Sequence, residues 1–312
     1  MTLSRCMIVF SVLAAAASGL AQGAPVRPPI TGISHLGLYG SDSAKTDYFY
    51  VHDLGAVKRD DPENPKGVRY YFSAVQFIEV LPFPDGYTGM SRLDHVAYDT
   101  TDAEGLRVYL AAHDIAVPAS VSDGSDGSRW FDVSDPEGNK VEFLQPPKKS
   151  APVPLNPLSK HIIHMGYLVH SRSAEDAFYR TALGFRPYWY GAFPDGKVSP
   201  QWVSQQVPNG TDWLEYMMVP GPETKGIPAG MSQHDVDVLN HFSLGVPNME
   251  KAVTSLWSDR LSAPHDEGAK IGLDGKWQFN LYDPDGTRVE MMEFHASIKP
   301  CCSPFTASDP KK

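Results

Sequence analysis

Near its carboxyl end the chain carries the turn and strand Asp283-Pro284-Asp285-Gly286-Thr287-Arg288-Val289-Glu290. Pro284 presets φ for a tight turn and Gly286 accepts a positive φ, so the pattern predicts a hairpin. A second copy occurs earlier as Asp135-Pro136-Glu137-Gly138 and is followed by the strand Val141-Glu142-Phe143. Each turn leads into a strand that contains a glutamate, and this recurrence indicates an internal repeat.

Four segments of the chain share the rest of this pattern. Each begins with an alternating strand that carries a histidine, continues through a polar turn into helical spacing of apolar residues, and ends on a strand that carries a glutamate. The histidines are His35, His95, His164 and His241, and the glutamates are Glu79, Glu142, Glu215 and Glu290. The sequence therefore predicts an α+β fold with the order βαβββ repeated four times.

The linkers between the four modules indicate how they are grouped. Residues 146–158 are rich in proline and lack periodicity, which is typical of a connection between two halves. The predicted organisation is listed here in chain order: an export signal (1–23), a first domain of two modules (30–147), a Pro-rich linker (148–158), a second domain of two modules (159–296) and a Cys/Pro tail (297–312).

The first residues have the pattern of an export signal. Arg5 supplies a positive charge, and the apolar run Met7–Ala17 is too short to span a bilayer. Small residues suit cleavage either after Ala21, with Gly19 and Ala21, or after Gly23, with Ala21 and Gly23. We therefore expect a periplasmic or extracellular protein with no membrane attachment after cleavage. Such a signal contains Cys6, and the remaining cysteines are the neighbours Cys301 and Cys302 in the tail. They leave open a pairing with each other, a contact with a second chain or a soft metal, and no role at all.

Composition excludes one class of partner and leaves others open. In 312 residues the hydrophobic fraction is 42%, the charged fraction is 21% and the formal net charge is −10. A protein that binds nucleic acid needs a basic face, so the negative charge argues against that class. Self-association remains open.

The histidines and glutamates together suit a divalent metal ion. Side chains alternate along a strand, so a histidine on the first strand and a glutamate on the last can face the same concave side. Two imidazoles and two carboxylates suit Fe(II), Mn(II), Co(II), Ni(II) or Zn(II). Four protein ligands on an octahedral ion leave two positions for a substrate that binds through two oxygens.

The pattern resembles the vicinal oxygen chelate superfamily, which includes glyoxalase I, extradiol dioxygenases and bleomycin resistance proteins. Its most specific stretches are Phe178–Phe185 and Asp283–Glu290, and the resemblance covers roughly residues 31–295. It implies that paired modules form two tandem half-barrel cups, each around one metal. The implied metal ligands are His35, Glu79, His95 and Glu142 in the first cup, and His164, Glu215, His241 and Glu290 in the second.

Three chemistries remain open under this resemblance. A divalent-metal-dependent isomerase or lyase, with Glu215 and Glu290 as catalytic carboxylates in the second cup, is slightly preferred, because it would use all four ligands on a small substrate with adjacent oxygens. A ring-cleaving dioxygenase would need only His164, His241 and Glu290, but the spacing of its acid/base candidates His234 and Tyr282 does not match. A non-catalytic binder would line its cup with aromatic residues, for which the candidates are Tyr188, Trp189, Tyr190, Trp202, Trp213, Trp277 and Phe279.

Overall fold

The computed structural model of the chain describes residues 25–194, 199–219, 227–259 and 261–311. The predicted signal, residues 1–23, lies outside the described residues. Within them, two eight-stranded sheets follow one another along the chain, and the order βαβββ occurs four times. The predicted α+β fold, with four modules paired into two tandem cups, is confirmed.

The first half consists of two modules. Its elements are β1 (Ile30–Gly40), α1 (Ser43–Asp47), β2 (Val57–Asp60), β3 (Val68–Tyr71), β4 (Phe77–Pro82), β5 (Leu93–Thr100), α2 (Ala103–Ala111), β6 (Ser122–Asp123), β7 (Arg129–Ser134) and β8 (Lys140–Gln145). Helix α1 continues directly into a π-helical turn, Tyr48–Asp53, which the sequence pattern did not distinguish from an α-helix.

The second half repeats this plan. Its elements are β9 (Ile162–Val169), α3 (Arg172–Asp176), β10 (Arg186–Gly191), β11 (Trp202–Gln206), β12 (Trp213–Met218), α4 (Gln233–Leu239), β13 (His241–Val246), α5 (Met249–Asp259), β14 (Lys270–Ile271), β15 (Trp277–Tyr282) and β16 (Arg288–Glu293). A π-helical turn again follows the first helix, at Ala177–Ala182. Helix α4 is an addition that the repeat did not predict.

The polar turns before the helices act as N-caps. The Asp42 carboxylate accepts hydrogen bonds from the backbone N–H groups of Ala44 and Lys45, and Asp102 accepts one from Gly105. Such caps satisfy N–H groups that have no partner within the helix. They fix where these helices begin after the first strand of each module.

Strand pairing places the first strands of each module at the centre of its sheet. The strand order is β2-β3-β4-β1-β5-β8-β7-β6 in the first sheet and β10-β11-β12-β9-β13-β16-β15-β14 in the second. Within a module the first and last strands are parallel, whereas β1–β5 and β9–β13 are antiparallel and join two modules into one sheet. The histidine strands of paired modules are thus direct neighbours, and each is flanked by a glutamate strand.

The two halves share one hydrophobic core. Buried side chains of both sheets form a single cluster that includes Leu36, Leu38, Met165 and Tyr167. Polar contacts also join the halves: the Gln76 amide donates to the carbonyl oxygens of Ile33 and Ile162 and accepts from Ile162 N–H.

The tail packs against the second sheet along both of its edges. Cys301 N–H donates to the carbonyl oxygen of Leu273, just after β14, and Thr306 N–H donates to that of Tyr188 on β10. These are the two outermost strands of the sheet, so the tail connects its edges. Cys301 and Cys302 form a disulfide with each other, which is one of the alternatives that the sequence left open.

None of the described helices is long and apolar enough to cross a lipid bilayer.

Candidate metal centre

In the second cup, the four predicted side chains converge on one point. The histidine Nε2 atoms of His164 and His241 are 3.1 Å apart. The Oε2 atom of Glu290 lies 3.2 Å from His164 Nε2, and that of Glu215 lies 3.9 Å from His241 Nε2. The same small volume is therefore faced by two imidazoles and two carboxylates. In each module the imidazole comes from the first strand and the carboxylate from the last.

The first cup contains the equivalent group. The Nε2 atoms of His35 and His95 are 2.9 Å apart. Glu142 Oε1 lies 3.6 Å from His35 Nε2, and Glu79 Oε2 lies 3.7 Å from His95 Nε2. The structure thus brings together all eight residues predicted from the sequence, in two groups of four.

Strand register explains the convergence. Gly166 is the cross-strand partner of both Glu215 and His241, and Gly37 is the partner of Glu79 and His95. A Cβ atom on Gly166 would overlap the His241 ring, and one on Gly37 would overlap the ring of His95. The glycine two residues after the first histidine of each cup therefore makes room for the second histidine.

Hydrogen bonds to the other ring nitrogen orient three of the four histidines. His95 Nδ1 lies 2.7 Å from the Asp94 carboxylate, His241 Nδ1 lies 2.8 Å from the Leu239 carbonyl oxygen, and His35 Nδ1 lies 3.1 Å from Ser34 Oγ. A proton held on Nδ1 leaves Nε2 with a free lone pair, which is the arrangement of a metal-binding histidine.

Burial favours neutral imidazoles at both sites. It lowers the pKa of His35 and of His241 well below the usual value, and neighbouring positive groups add to the effect. Burial also lowers the pKa of His164, although Glu290 partly opposes the shift. A metal ion binds the neutral form of histidine, so these shifts prepare the nitrogens for coordination.

The two carboxylates of the second cup differ in environment. Burial, together with the nearby Glu290, raises the pKa of Glu215 to about 8. Burial acts in the same direction on Glu290, but the hydrogen bond from His164 and the charge of Arg288 outweigh it and lower the pKa of Glu290. In the first cup, burial raises the pKa of both Glu79 and Glu142 well above the usual value.

Both groups fit a divalent metal ion. Two nitrogens bound at about 2.1 Å and at right angles would be about 3.0 Å apart, which matches the measured Nε2 separations. Glu142 Oε1 is buried and has no hydrogen-bond donor among the described residues, as expected for an oxygen that needs a cation. Each cup can therefore hold a divalent ion: the ligand atoms of His35, Glu79 and His95 lie within 4.8 Å of one another, as do those of His164, Glu215 and His241. Glu142 and Glu290 each lie next to one histidine of their group.

The two cups differ in the space above the ligands. In the second cup a cavity of about 390 Å³ reaches Glu215 and Glu290. In the first cup the side chain of Arg69 is only 2% exposed and pairs with Asp61 and Glu63. Its guanidinium lies 4.2 Å from the centre of the Phe77 ring, which stacks on His35. The first cup is therefore filled by a buried ion cluster.

One pair of equivalent positions accounts for this difference. Arg69 on β3 lies opposite Glu79 in the register of the first sheet, and Ser204 on β11 lies opposite Glu215 in the second. The small serine leaves space, and its hydroxyl lies 3.1 Å from Glu215 Oε1. The first cup is therefore filled because a large buried arginine occupies this position, and the second cup is accessible because a serine does.

Aromatic side chains form much of the cavity wall in the second cup. Of the predicted residues, Tyr188, Trp189, Trp202 and Trp213 line it, whereas Tyr190, Trp277 and Phe279 do not. Phe193 and Phe305 also line the cavity but were not among the predicted residues. Phe305 reaches the cavity only because the tail folds back on the sheet. Arg288 and Ser204 also line the wall and were missed as site residues.

The proposed acid/base pair of a dioxygenase does not line this cavity. His234 on α4 and Tyr282 at the end of β15 contact each other, with ring centres 5.9 Å apart. His161, which lies just before β9, contacts Asp212 and the carbonyl oxygen of Lys311. Neither His234 nor His161 belongs to the metal-binding group.

The difference in access predicts two rates of metal loss. With both cups loaded with Zn(II), we expect excess chelator to remove one ion per chain quickly and the other at least about tenfold more slowly. The reason is that the filled cup opens only through local unfolding. Metal release followed with a zinc-sensitive dye measures both phases, and His95→Ala, which disables the first cup, should abolish the slow one. A single fast phase of two ions would contradict the difference in access.

Comparison with known proteins finds the same fold in solved structures of dioxygenases and a glyoxalase. No family model matches the chain, and no curated protein matches it in sequence. The 2,3-dioxygenase LapB from Pseudomonas sp. KL28 has a similar structure, with a TM-score of 0.61 and 14% identity over 89% of this chain and 97% of that one. A catechol 2,3-dioxygenase gives a TM-score of 0.59 and 16% identity over 90% and 93%.

A glyoxalase is similar to the same degree. The Mn(II)-bound glyoxalase from Novosphingobium aromaticivorans gives a TM-score of 0.59 and 17% identity, covering 85% of this chain and 83% of that one. These similarities concern the fold, which this chain shares with two dioxygenases and a glyoxalase.

Proposed function

We propose that the chain is a divalent-metal-dependent enzyme of the vicinal oxygen chelate superfamily, and that its second cup moves a proton on a small substrate with two adjacent oxygens. The observation that carries this proposal is the convergence of four ligand side chains at the base of a cavity. A metal ion bound there would polarise the substrate oxygens and make a neighbouring C–H group more acidic.

Glu215 is the residue that we assign to proton transfer. Its Oε2 atom lies 3.9 Å from His241 Nε2, whereas Glu290 Oε2 lies only 3.2 Å from His164 Nε2. The side chain of Glu215 also borders the cavity. Ser204 Oγ donates to its other oxygen and fixes the orientation of the carboxylate. Glu290 is held against His164 at 3.2 Å and serves as a ligand that stays in place.

Ring cleavage of a catechol is the second candidate. The aromatic cavity wall and the shared fold with extradiol dioxygenases support it. His234 and Tyr282 lie outside the cavity lining, so they do not supply the acid/base group that this chemistry would need. We therefore rank proton transfer first.

The test compares proton exchange with oxygen uptake. Protein purified without oxygen is loaded separately with Mn(II), Ni(II), Zn(II) or Fe(II), and is supplied with 2-hydroxy ketones or with catechols. We expect deuterium from D2O to enter the carbon beside the chelating oxygens, as seen by NMR. The variant Glu215→Gln should bind metal but lose roughly 10²-fold or more in exchange rate, because the general base is gone.

Glu79→Gln provides the matched control, because Glu79 occupies the equivalent position in the filled cup. This variant should exchange at the wild-type rate. Oxygen uptake with the Fe(II) protein and catechol would favour ring cleavage instead. Metal-dependent binding without either reaction would identify a non-catalytic binding protein, and the absence of metal uptake would refute the proposal.

A further inference from the structure

We propose that the neighbouring cysteines Cys301 and Cys302 form a redox-sensitive clasp, which closes one side of the cavity in the second cup when they are joined and opens it when they are reduced. The clasp is defined as residues 301–303. This inference goes beyond the proposed function, because it concerns access to the cavity and holds whichever reaction takes place inside it.

The clasp joins two sides of the cavity wall. Trp189 lies on β10 and Leu273 follows β14, so the two residues belong to opposite edges of the second sheet, and both line the cavity. The backbone of Cys301 connects them. Its N–H group donates to the carbonyl oxygen of Leu273, and its carbonyl oxygen accepts a hydrogen bond from Trp189 Nε1 at 3.1 Å. One residue of the tail thus bridges the two edges of the sheet beside the cavity.

The other two residues of the clasp contact the end of β10. Ser303 Oγ accepts a hydrogen bond from Tyr190 N–H at 3.0 Å. The Cys302 sulfur lies 3.4 Å from the carbonyl oxygen of Ala192, directly before the cavity residue Phe193. The conformation of the clasp therefore determines how the end of β10 and the ring of Phe193 are held beside the cavity.

The disulfide holds Cys302 in a backbone conformation that the residue does not favour alone. Its φ is 73°, in the left-handed region. The Cβ atom of an L-residue makes this region unfavourable, and only glycine enters it freely. While the two sulfurs are joined, the covalent ring of the two residues keeps this conformation. Once the bond is broken, Cys302 can return to a negative φ, and the residues on either side lose the geometry of their hydrogen bonds.

A reductant can reach the disulfide, because Cys302 is exposed and Cys301 is partly exposed. A dithiol attacks one of the two sulfurs as a thiolate and breaks the S–S bond. Two electrons and two protons pass to the cysteine sulfurs, which become thiols, and the dithiol leaves as a disulfide. The reverse exchange with an oxidised dithiol closes the clasp again.

The end of the tail has an anchor of its own, which keeps the change local. Lys276 is fully buried, and its ammonium pairs with Asp309 at 2.9 Å and donates to the carbonyl oxygen of Phe294 at 2.8 Å. Thr306 N–H donates to the carbonyl oxygen of Tyr188. None of these contacts involves a cysteine, so reduction opens the clasp without detaching the tail.

Hydrogen exchange followed by mass spectrometry tests the clasp itself. The Zn(II)-loaded protein is compared before and after reduction with a phosphine, which becomes a phosphine oxide with oxygen from water, and a thiol assay confirms complete reduction. We expect the N–H groups of Cys301, Ser303 and Tyr190 to exchange about tenfold faster or more after reduction, because each donates a hydrogen bond to or within this region. Peptides from the first cup should exchange at an unchanged rate.

Two double variants separate the disulfide from the conformation that it fixes. Cys301→Ser combined with Cys302→Ser should exchange at the clasp like the reduced wild type and should not respond to the phosphine. Cys301→Ser combined with Cys302→Gly also lacks the bond, but glycine adopts a positive φ readily. This second variant should therefore keep most of the protection of the oxidised wild type.

Metal release measures whether the clasp controls access to the cavity. The wild type and both double variants are loaded with Zn(II), and excess chelator is added without reductant. The rapid phase, which comes from the second cup, should be about threefold faster or more in the serine variant and close to the wild-type rate in the glycine variant. The slow phase from the first cup should be the same in all three proteins.

Several results would overturn the inference. The clasp could exchange at the same rate after reduction, or reduction could accelerate exchange equally in the first cup, which would show a general loss of stability. The inference is also wrong if the serine and glycine variants exchange alike, or if the serine variant releases metal from the second cup at the wild-type rate. A protein that takes up no metal would refute the proposed function instead, and hydrogen exchange of the metal-free protein would still test the clasp.

Discussion

Replacing His241 or Glu290 by alanine is expected to abolish tight metal binding in the second cup and to lower kcat/KM by roughly 10³-fold or more. Each change removes one of the four side chains that converge there. His164 Nε2 loses its neighbour at 3.1 Å when His241 is replaced, and its neighbour at 3.2 Å when Glu290 is replaced. Metal content, measured by mass spectrometry after purification without chelators, should fall by one ion per chain. Activity should fall in parallel.

Equivalent changes in the first cup form the control. His95→Ala and Glu142→Ala should also remove one ion per chain, but they should leave kcat/KM within about threefold of the wild type, because the buried Arg69 and its partners fill the space beside that group. Circular dichroism shows whether each variant is folded. Equal loss of activity from the two cups would contradict the assignment of turnover to the second.

A single methyl group at Gly166 is expected to have nearly as large an effect. A Cβ atom at this position would overlap the imidazole of His241, which is fully buried. In Gly166→Ala the ring must leave its position, so we expect metal affinity in the second cup to fall about 100-fold or more. Competition with a chelating dye of known affinity measures the change.

Substitutions at two further glycines serve as controls for this result. Gly37→Ala should act on the first cup in the same way, through the ring of His95, and leave turnover unaffected. Gly268→Ala should have no effect on either metal, because a Cβ atom there would contact nothing within 4 Å. If Gly166→Ala binds metal as tightly as Gly268→Ala does, then His241 is not a ligand.

The repeat made the fold and the eight candidate ligands predictable. Each histidine strand alternates, and each glutamate strand follows a recognisable turn or apolar pattern, so equivalent residues could be matched within this one chain. The sequence shows Gly37 and Gly166 two residues after a histidine. Their role is to leave space for a histidine ring on the neighbouring strand, which the sequence alone does not show. Only the register of β1 with β5 and of β9 with β13 reveals it.

The difference between the cups could not be predicted from pattern. It depends on Arg69 and Ser204, which lie on short strands whose positions relative to the glutamates are fixed by cross-strand pairing.

Long-range packing was the other feature beyond the sequence. The tail was predicted as a separate segment, yet it bonds to Leu273 and Tyr188 at opposite edges of the second sheet and carries Phe305 to the cavity. Its two cysteines pair with each other. Disulfides persist in oxidising compartments, and the pairing is compatible with export, which remains a prediction from residues 1–23.

The central claim is that four side chains of the second cup hold a metal ion at the base of the cavity. Anomalous X-ray diffraction from a crystal loaded with Mn(II) tests it most directly. We expect a peak within about 2.3 Å of His164 Nε2, His241 Nε2 and a carboxylate oxygen of each of Glu215 and Glu290. A crystal soaked in excess Mn(II) that shows no peak among these four side chains would contradict it.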